Sequence, residues 1–175
     1  MRILAIVLTV AIGGACSKST PASKTPIVND PVPMADATAS PPPAPSSATA
    51  VLASYERVRA ALAADDMEAA PSAARDLESS ARAEATSSKQ FAAIADGASR
   101  LAAAPDIKTA RAAFGEVSQH LVALLAADKS LATGQNVFEC PMVKGYNKWV
   151  QPTKNLENPY MGKRMLTCGG ESSWE

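Results

Sequence analysis

Apolar residues return at helical spacing along one continuous stretch of the chain. Val51, Tyr55, Val58 and Leu62 recur at intervals of three and four, which predicts a helix over 51–64. Asp65-Asp66 interrupts the stripe and offers carboxylates to cap the next helix. That helix carries Met67, Ala70, Ala74, Leu77 and Ala81 on one face. Pro71 falls near its start, so either the first turn is loose or the regular helix begins close to Pro71. Phe91, Ile94, Ala98 and Leu101 align on a third helix from Ser88 to Ala103. Pro105 ends the connection, and Asp106 is placed to cap a fourth. There Ile107, Ala110, Phe114, Val117, Leu121 and Leu124 alternate steps of three and four, a heptad-like seam. No part of this region reads as a strand. Short connections between such stripes predict antiparallel neighbours. The expected fold is therefore all-α, an antiparallel four-helix bundle over residues 51–130.

The periodicity fails on both sides of the bundle. Residues 131–175 hold both tryptophans, two of the three tyrosines and two of the three cysteines, among Gly, Pro, Asn and Met. Such a composition does not belong to a disordered end. It predicts an irregular Cys/Met segment that is part of the same domain and folds back on the bundle, anchored by Trp149 and Tyr160. Upstream, residues 16–50 are rich in Pro, Ser, Thr and Ala, with eight prolines from Pro21 to Pro45. Proline lacks a backbone donor and fixes its own φ, so this stretch reads as a disordered, extended linker.

Residues 1–15 have the make-up of an export signal. Met1-Arg2 is followed by an apolar run, Ile3 to Ile12, and then by Gly13-Gly14-Ala15. The run is too short to span a bilayer, which takes about 20 residues. Cys16 comes next, and the string resembles the lipobox of bacterial lipoproteins, in which the cysteine is lipidated and becomes the mature N-terminus. Gly13 stands where that pattern usually has Leu. The resemblance implies a periplasmic protein held to the membrane through Cys16. Ser17 rather than Asp follows the cysteine, which points to the outer membrane.

Composition narrows the classes of function. Seventeen basic and seventeen acidic residues cancel, and no basic patch stands out, so nucleic acid is not an expected partner. Aromatics make up only 5% and alanine supplies much of the apolar content, which suits close-packed helices better than a thick sheet sandwich. There is no glycine-rich phosphate loop and no nucleophile elbow. The single histidine, His120, has no placed carboxylate to complete a triad. No enzymatic activity is expected.

The candidate chemistry lies in sulfur. Cys140-Pro141-Met142 opens the C-terminal segment, and Met161, Met165 and Cys168 close it. Thiolate and thioether are soft donors that select Cu(I) over hard cations. Two cysteines, Cys140 and Cys168, and up to three methionines, Met142, Met161 and Met165, could supply a sulfur-rich site of three or four ligands. One histidine is too few for a multi-histidine zinc or Cu(II) site, and the cysteine spacing is neither a zinc ribbon nor a CxxC pair. A second reading is open on the same residues. In an exported protein Cys140 and Cys168 can form a disulfide, worth about 2–4 kcal/mol, with the methionines filling the core.

The strings Cys140-Pro141-Met142, Trp149, Asn158-Pro159-Tyr160, Gly162, Met165 and Cys168-Gly169 resemble an uncharacterised family of bacterial periplasmic domains. The likeness extends upstream to Tyr55, Ala61-Leu62, Asp65-Asp66, Arg111, Phe114, Ser118 and Leu121, and so covers residues 51–170. That family occurs alone in lipoproteins and fused to the adaptor subunits of copper- and silver-type efflux systems. The resemblance implies binding or handing over of a copper-group ion, as a buffer, sensor or shuttle toward an efflux adaptor. It implies ligand roles for Cys140, Met142, Met165 and Cys168. Met161 stands where an aromatic is more usual and His120 falls at a variable position, which makes both lesser candidates, and the loop around Trp149 departs from the family pattern.

Overall fold

A computed structural model describes residues 47–175. The expected export signal, Cys16 and nearly all of the proline-rich stretch lie outside the described residues. Four helices come first: α1 (Ser47–Ala63), α2 (Ala69–Ala83), α3 (Lys89–Ala102) and α4 (Ile107–Ala127). Helix α1 takes in Ser47-Ala48-Thr49-Ala50 ahead of Val51, a stretch with no proline to oppose it. Pro71 sits in the first turn of α2, where its missing N–H costs nothing. Ser88 and Asp106 cap α3 and α4, accepting from Gln90 N at 3.2 Å and Thr109 N at 2.7 Å. The stripe on α4 is broader than the seam alone, with Ser118, Val122 and Leu125 buried beside Phe114, Val117 and Leu121. Among the described residues, no helix is long and apolar enough to cross a membrane.

The all-α expectation needs correction. Residues 131–175 contain a small antiparallel sheet of three strands: β1 (Asn136–Glu139), β2 (Lys148–Gln151) and β3 (Gly170–Glu171), in the order β2-β1-β3. In its register, Val137 faces Val150, Phe138 faces Trp149, and Glu139 lies between Lys148 and Gly170. These strands carry no legible alternation. Each is four residues or fewer, and the two central residues of β1 are both buried.

The sheet has a definite place in the packing. Helix α1 packs on α2, α2 on α3 and α3 on α4, but α1 and α4 scarcely touch backbone to backbone. Strand β2 packs on α4 and reaches α1, so it occupies the seam that a closed four-helix bundle would fill with its own helices. Trp149 is fully buried there, stacked on Phe138 with ring centroids 5.8 Å apart and edge-on to Tyr160 at 6.0 Å. Tyr160 in turn meets Phe114 of α4 at 5.5 Å, and Phe114 stacks on Tyr55 of α1 at 5.2 Å. One aromatic chain thus runs from α1 through α4 into the sheet.

Polar bonds tie the same seam. Tyr55 Oη lies 2.7 Å from Ser118 Oγ and accepts from Val150 N at 3.3 Å, so a buried hydroxyl joins α1, α4 and β2. Burial raises the Tyr55 pKa well above the ordinary tyrosine range. The nearly buried Arg59 guanidinium pairs with Glu56 at 2.7 Å and Glu157 at 3.0 Å, and donates to the Glu157 carbonyl at 2.8 Å. Arg111 of α4 donates from Nε to Pro159 O at 2.7 Å, and from Nη2 to Leu62 O at 2.9 Å and Asp65 Oδ1 at 2.6 Å.

The Asp65-Asp66 pair splits its duties. Asp66 alone caps α2, accepting from Glu68 N at 3.0 Å and Ala69 N at 2.9 Å. Asp65 sits at φ 56° and turns the other way, toward Arg111 and the backbone N–H of Lys163 at 3.0 Å. The Arg111 guanidinium beside it holds the Asp65 carboxyl below the usual carboxylate range.

Candidate metal centre

The segment that carries the sulfurs is shaped by Asn158. Its side chain is fully buried, and its Oδ1 accepts from Tyr160 N at 2.8 Å and Met161 N at 3.0 Å, closing an Asx turn over Pro159. Its Nδ2 donates to Cys168 O at 2.6 Å, and its own N–H to Leu166 O at 2.7 Å. One asparagine therefore fixes the loop that delivers Cys168. Gly162 follows at φ 60°, where an added Cβ would run into the Asp65 carboxylate and the Arg111 guanidinium. A 3-10 turn, Gly162–Met165, then leads to Cys168, whose N–H bonds Met165 O at 3.0 Å. Gly169 lets β3 approach β1, since a Cβ there would stand 2.5 Å from Glu139 O and 3.1 Å from Trp149 Cη2.

On the other side, Cys140 follows the last residue of β1 and donates its N–H to Asn147 O at 3.1 Å. The pairing of Glu139 with Gly170 brings the two cysteines together. Their Sγ atoms lie 3.0 Å apart across 28 residues, and both are free thiols. Cys140 is fully buried and Cys168 half-exposed. The contact with Cys140 and burial raise the Cys168 thiol above its ordinary pKa, so proximity alone does not ionise it.

The methionines are placed differently from one another. Met142 lies on the turn after Cys140 and is 60% exposed, the one large apolar side chain so displayed among the described residues. Met165 is half-buried at the end of the 3-10 turn. Met161 packs on the core and lines a cleft under α4. His120 belongs to the α3–α4 interface, with Nδ1 2.9 Å from Gln90 Oε1. No group of three or more His, Cys, Asp or Glu side chains able to share an ion exists among the described residues. His120 therefore does not join the two thiols.

The donor set suits a soft ion. Two sulfurs in contact, with thioethers two residues after one and three before the other, offer no oxygen-rich cage for a hard cation. An ion held by both sulfurs requires them to part slightly. Cys168, the more exposed, follows a 3-10 turn rather than a strand, and is the partner less confined by packing.

The sequence resemblance takes in Asn158, Arg111 and Asp65 but gives them no part in the site; the structure has Asn158 hold the loop of Cys168, and Arg111 with Asp65 hold the turn at Gly162. The buried asparagine before Pro159 is the signal that could have revealed the first, because such a residue closes its own turn. No curated protein and no solved structure matches the chain. The model of the family described as "Protein of unknown function (DUF3347)" matches residues 51–133, from α1 to the loop ahead of β1, and so takes in none of the sulfur residues of the C-terminal segment.

Proposed function

We propose that this is an exported domain, anchored to the periplasmic face of the outer membrane through a lipidated Cys16, that takes up a soft ion of the Cu(I) type. Cys140 and Cys168 supply the thiolates, and Met142 and Met165 the thioethers. The observation that carries this reading is the meeting of two free thiols 3.0 Å apart, far apart in sequence, with an exposed methionine on the adjoining turn. A thiolate adds charge as well as softness, and a thioether adds softness alone. Such a site suits a buffer, sensor or shuttle toward the adaptor subunit of a heavy-metal efflux system, and no chemical step is assigned to the protein.

The test is an anaerobic Cu(I) titration of the reduced protein against a chromophoric competitor. One Cu(I) per chain is expected, bound far more tightly than Zn(II). Met142→Leu and Met165→Leu conserve volume and are expected to weaken binding, and Cys140→Ser or Cys168→Ser to weaken it further. No binding by the fully reduced protein would overturn the metal reading.

The same proximity favours a second reading, in which Cys140 and Cys168 form a disulfide and the domain is a structural or protein-interaction module. The bond would close the loop that spans β2 and the Asn158 turn, with stabilisation of about 2–4 kcal/mol. Alkylation and mass measurement of protein taken directly from the periplasm separates the two states.

A further inference from the structure

The cleft between α4 and the turn at 143–146 has a volume of about 580 Å³ and opens to solvent. Small-molecule sites run from about 300 to 1,000 Å³, so a compact organic molecule fits it. Gly115 forms part of its floor. A Cβ there would already stand 3.4 Å from Tyr146 O and 3.8 Å from Tyr160 Cε1, so a longer side chain would close the space. Ile107, Val143, Tyr146, Tyr160 and Met161 make the walls, which are mostly apolar.

The charges on the cleft do not cancel. Glu116 is paired with Arg100, and Arg111 with Asp65, so that acid and that base are each neutralised by a partner. Gln119 is neutral. Lys108 and Lys144 remain, both exposed at the edge and neither in an ion pair among the described residues, although Lys108 lies near enough to the Asp106 carboxylate to help lower its pKa. Burial pushes the Tyr146 hydroxyl up to about 12, so at neutral pH it is uncharged. The result is an apolar slot with two exposed lysines at its rim, of which Lys144 has no acidic partner among the described residues.

We propose that the cleft binds a small organic carboxylate, its aryl or medium-chain alkyl body against Tyr146, Tyr160 and Met161 and its carboxylate at Lys108 and Lys144. Cys140, Met142, Met165 and Cys168 do not line the cleft, so this site stands or falls separately from the metal reading.

The test uses the purified full-length protein, with anilinonaphthalene sulfonate as fluorescent probe and octanoate, octan-1-ol and octylamine as competitors. One probe per chain is expected, displaced by octanoate at concentrations at least about tenfold below those needed for the alcohol or the amine. Lys108→Gln with Lys144→Gln is expected to weaken octanoate about five- to tenfold and remove its advantage over the alcohol, since exposed charges contribute modestly each. Ala112→Phe, exposed on α4 at the cleft, is expected to abolish probe binding without lowering the melting temperature. If that variant fails to fold, Val143→Trp on the opposite wall carries the same test. Equal displacement by alcohol and carboxylate, or undiminished binding in a folded cleft-filling variant, would overturn the proposal, as would no probe binding by the parent.

Discussion

Replacing Trp149 by alanine tests whether the C-terminal segment is part of the bundle's core or an appendage to it. The side chain is fully buried, rests on Phe138 and Tyr160, and donates its Nε1–H to Gln151 Oε1 at 3.0 Å. A tryptophan buries roughly 150–250 Å². At about 25 cal/mol per Å² that transfer is about 4–6 kcal/mol, an upper bound because it is counted from an extended chain. The lost hydrogen bond adds little, since Gln151 Oε1 keeps the Glu157 N–H at 3.3 Å. Aromatic-to-alanine changes in cores commonly cost about 3–5 kcal/mol, and about 4 is expected here. For a domain of this size that lowers the melting temperature by about 12–20 °C. Thermal and urea melts followed by helical circular dichroism report on α1–α4, which makes them the right readout. Trp174, only partly buried, serves as the comparison, and its alanine variant should lose far less. Helices that melt within about 3 °C of the parent after Trp149→Ala would show that the four helices hold without the sheet, so that β2 in the α1–α4 seam contributes nothing to them.

Gly162→Ala should cost about 1–3 kcal/mol in a urea melt, because it combines a left-handed backbone with a clash against the Asp65–Arg111 pair. Asp65→Asn should flatten the acid limb of stability. The folded-state pKa of Asp65 is depressed, so its contribution is complete above the ordinary carboxylate range and is lost as pH falls through the lowered value. Melts of the parent and the variant should therefore differ most at neutral pH and converge toward strong acid; parallel curves would refute the coupling. Cys16→Ser should move the protein from the membrane to the soluble periplasmic fraction, and unchanged fractionation would remove the lipid anchor.

The helices were legible because a buried stripe on a helix must repeat every three to four residues, and Val51–Leu62, Phe91–Leu101 and Ile107–Leu121 each do so at length. Ser88 and Asp106 were legible for a related reason, since a cap is a local device that needs only its own helix. The sheet was not. A two-residue apolar centre such as Val137-Phe138 or Trp149-Val150 carries no period, and its strands pair across loops that sequence alone does not close. Asp65 was misjudged as half of a cap because its partner, Arg111, is distant along the chain and comes near only after α4 has packed. The candidate site was half legible. Cys140 and Cys168 stand out as residue types, and either of their two possible uses demands that they meet. That Met161 faces the cleft, or that Asn158 holds the loop, depends on which way the turn after Pro159 runs.

The position of the sheet bears on how any event at the thiols is felt by the rest of the molecule. Cys140 directly follows β1 and Cys168 stands two residues before β3, so both sulfurs hang from the sheet that fills the α1–α4 seam. Asn158 joins the Cys168 carbonyl to the Tyr160 turn, and Tyr160 Oη donates to Lys148 O of β2 at 2.8 Å. A ligand or bond that favours the folded arrangement of the thiols therefore stabilises the same seam that holds the helices together. An ion at a hundred times its dissociation constant adds about 2.7 kcal/mol to whatever it binds only when folded. A disulfide adds a comparable amount. In either use of the cysteines, helical stability itself registers their state, and reduced, oxidised and Cu(I)-treated protein should melt at different temperatures. A Cys140→Ser variant should melt at one temperature under all three conditions. If the parent did so too, the thiols would be energetically separate from the bundle, and the continuous path from Cys168 through Asn158 and Tyr160 to β2 would carry no coupling.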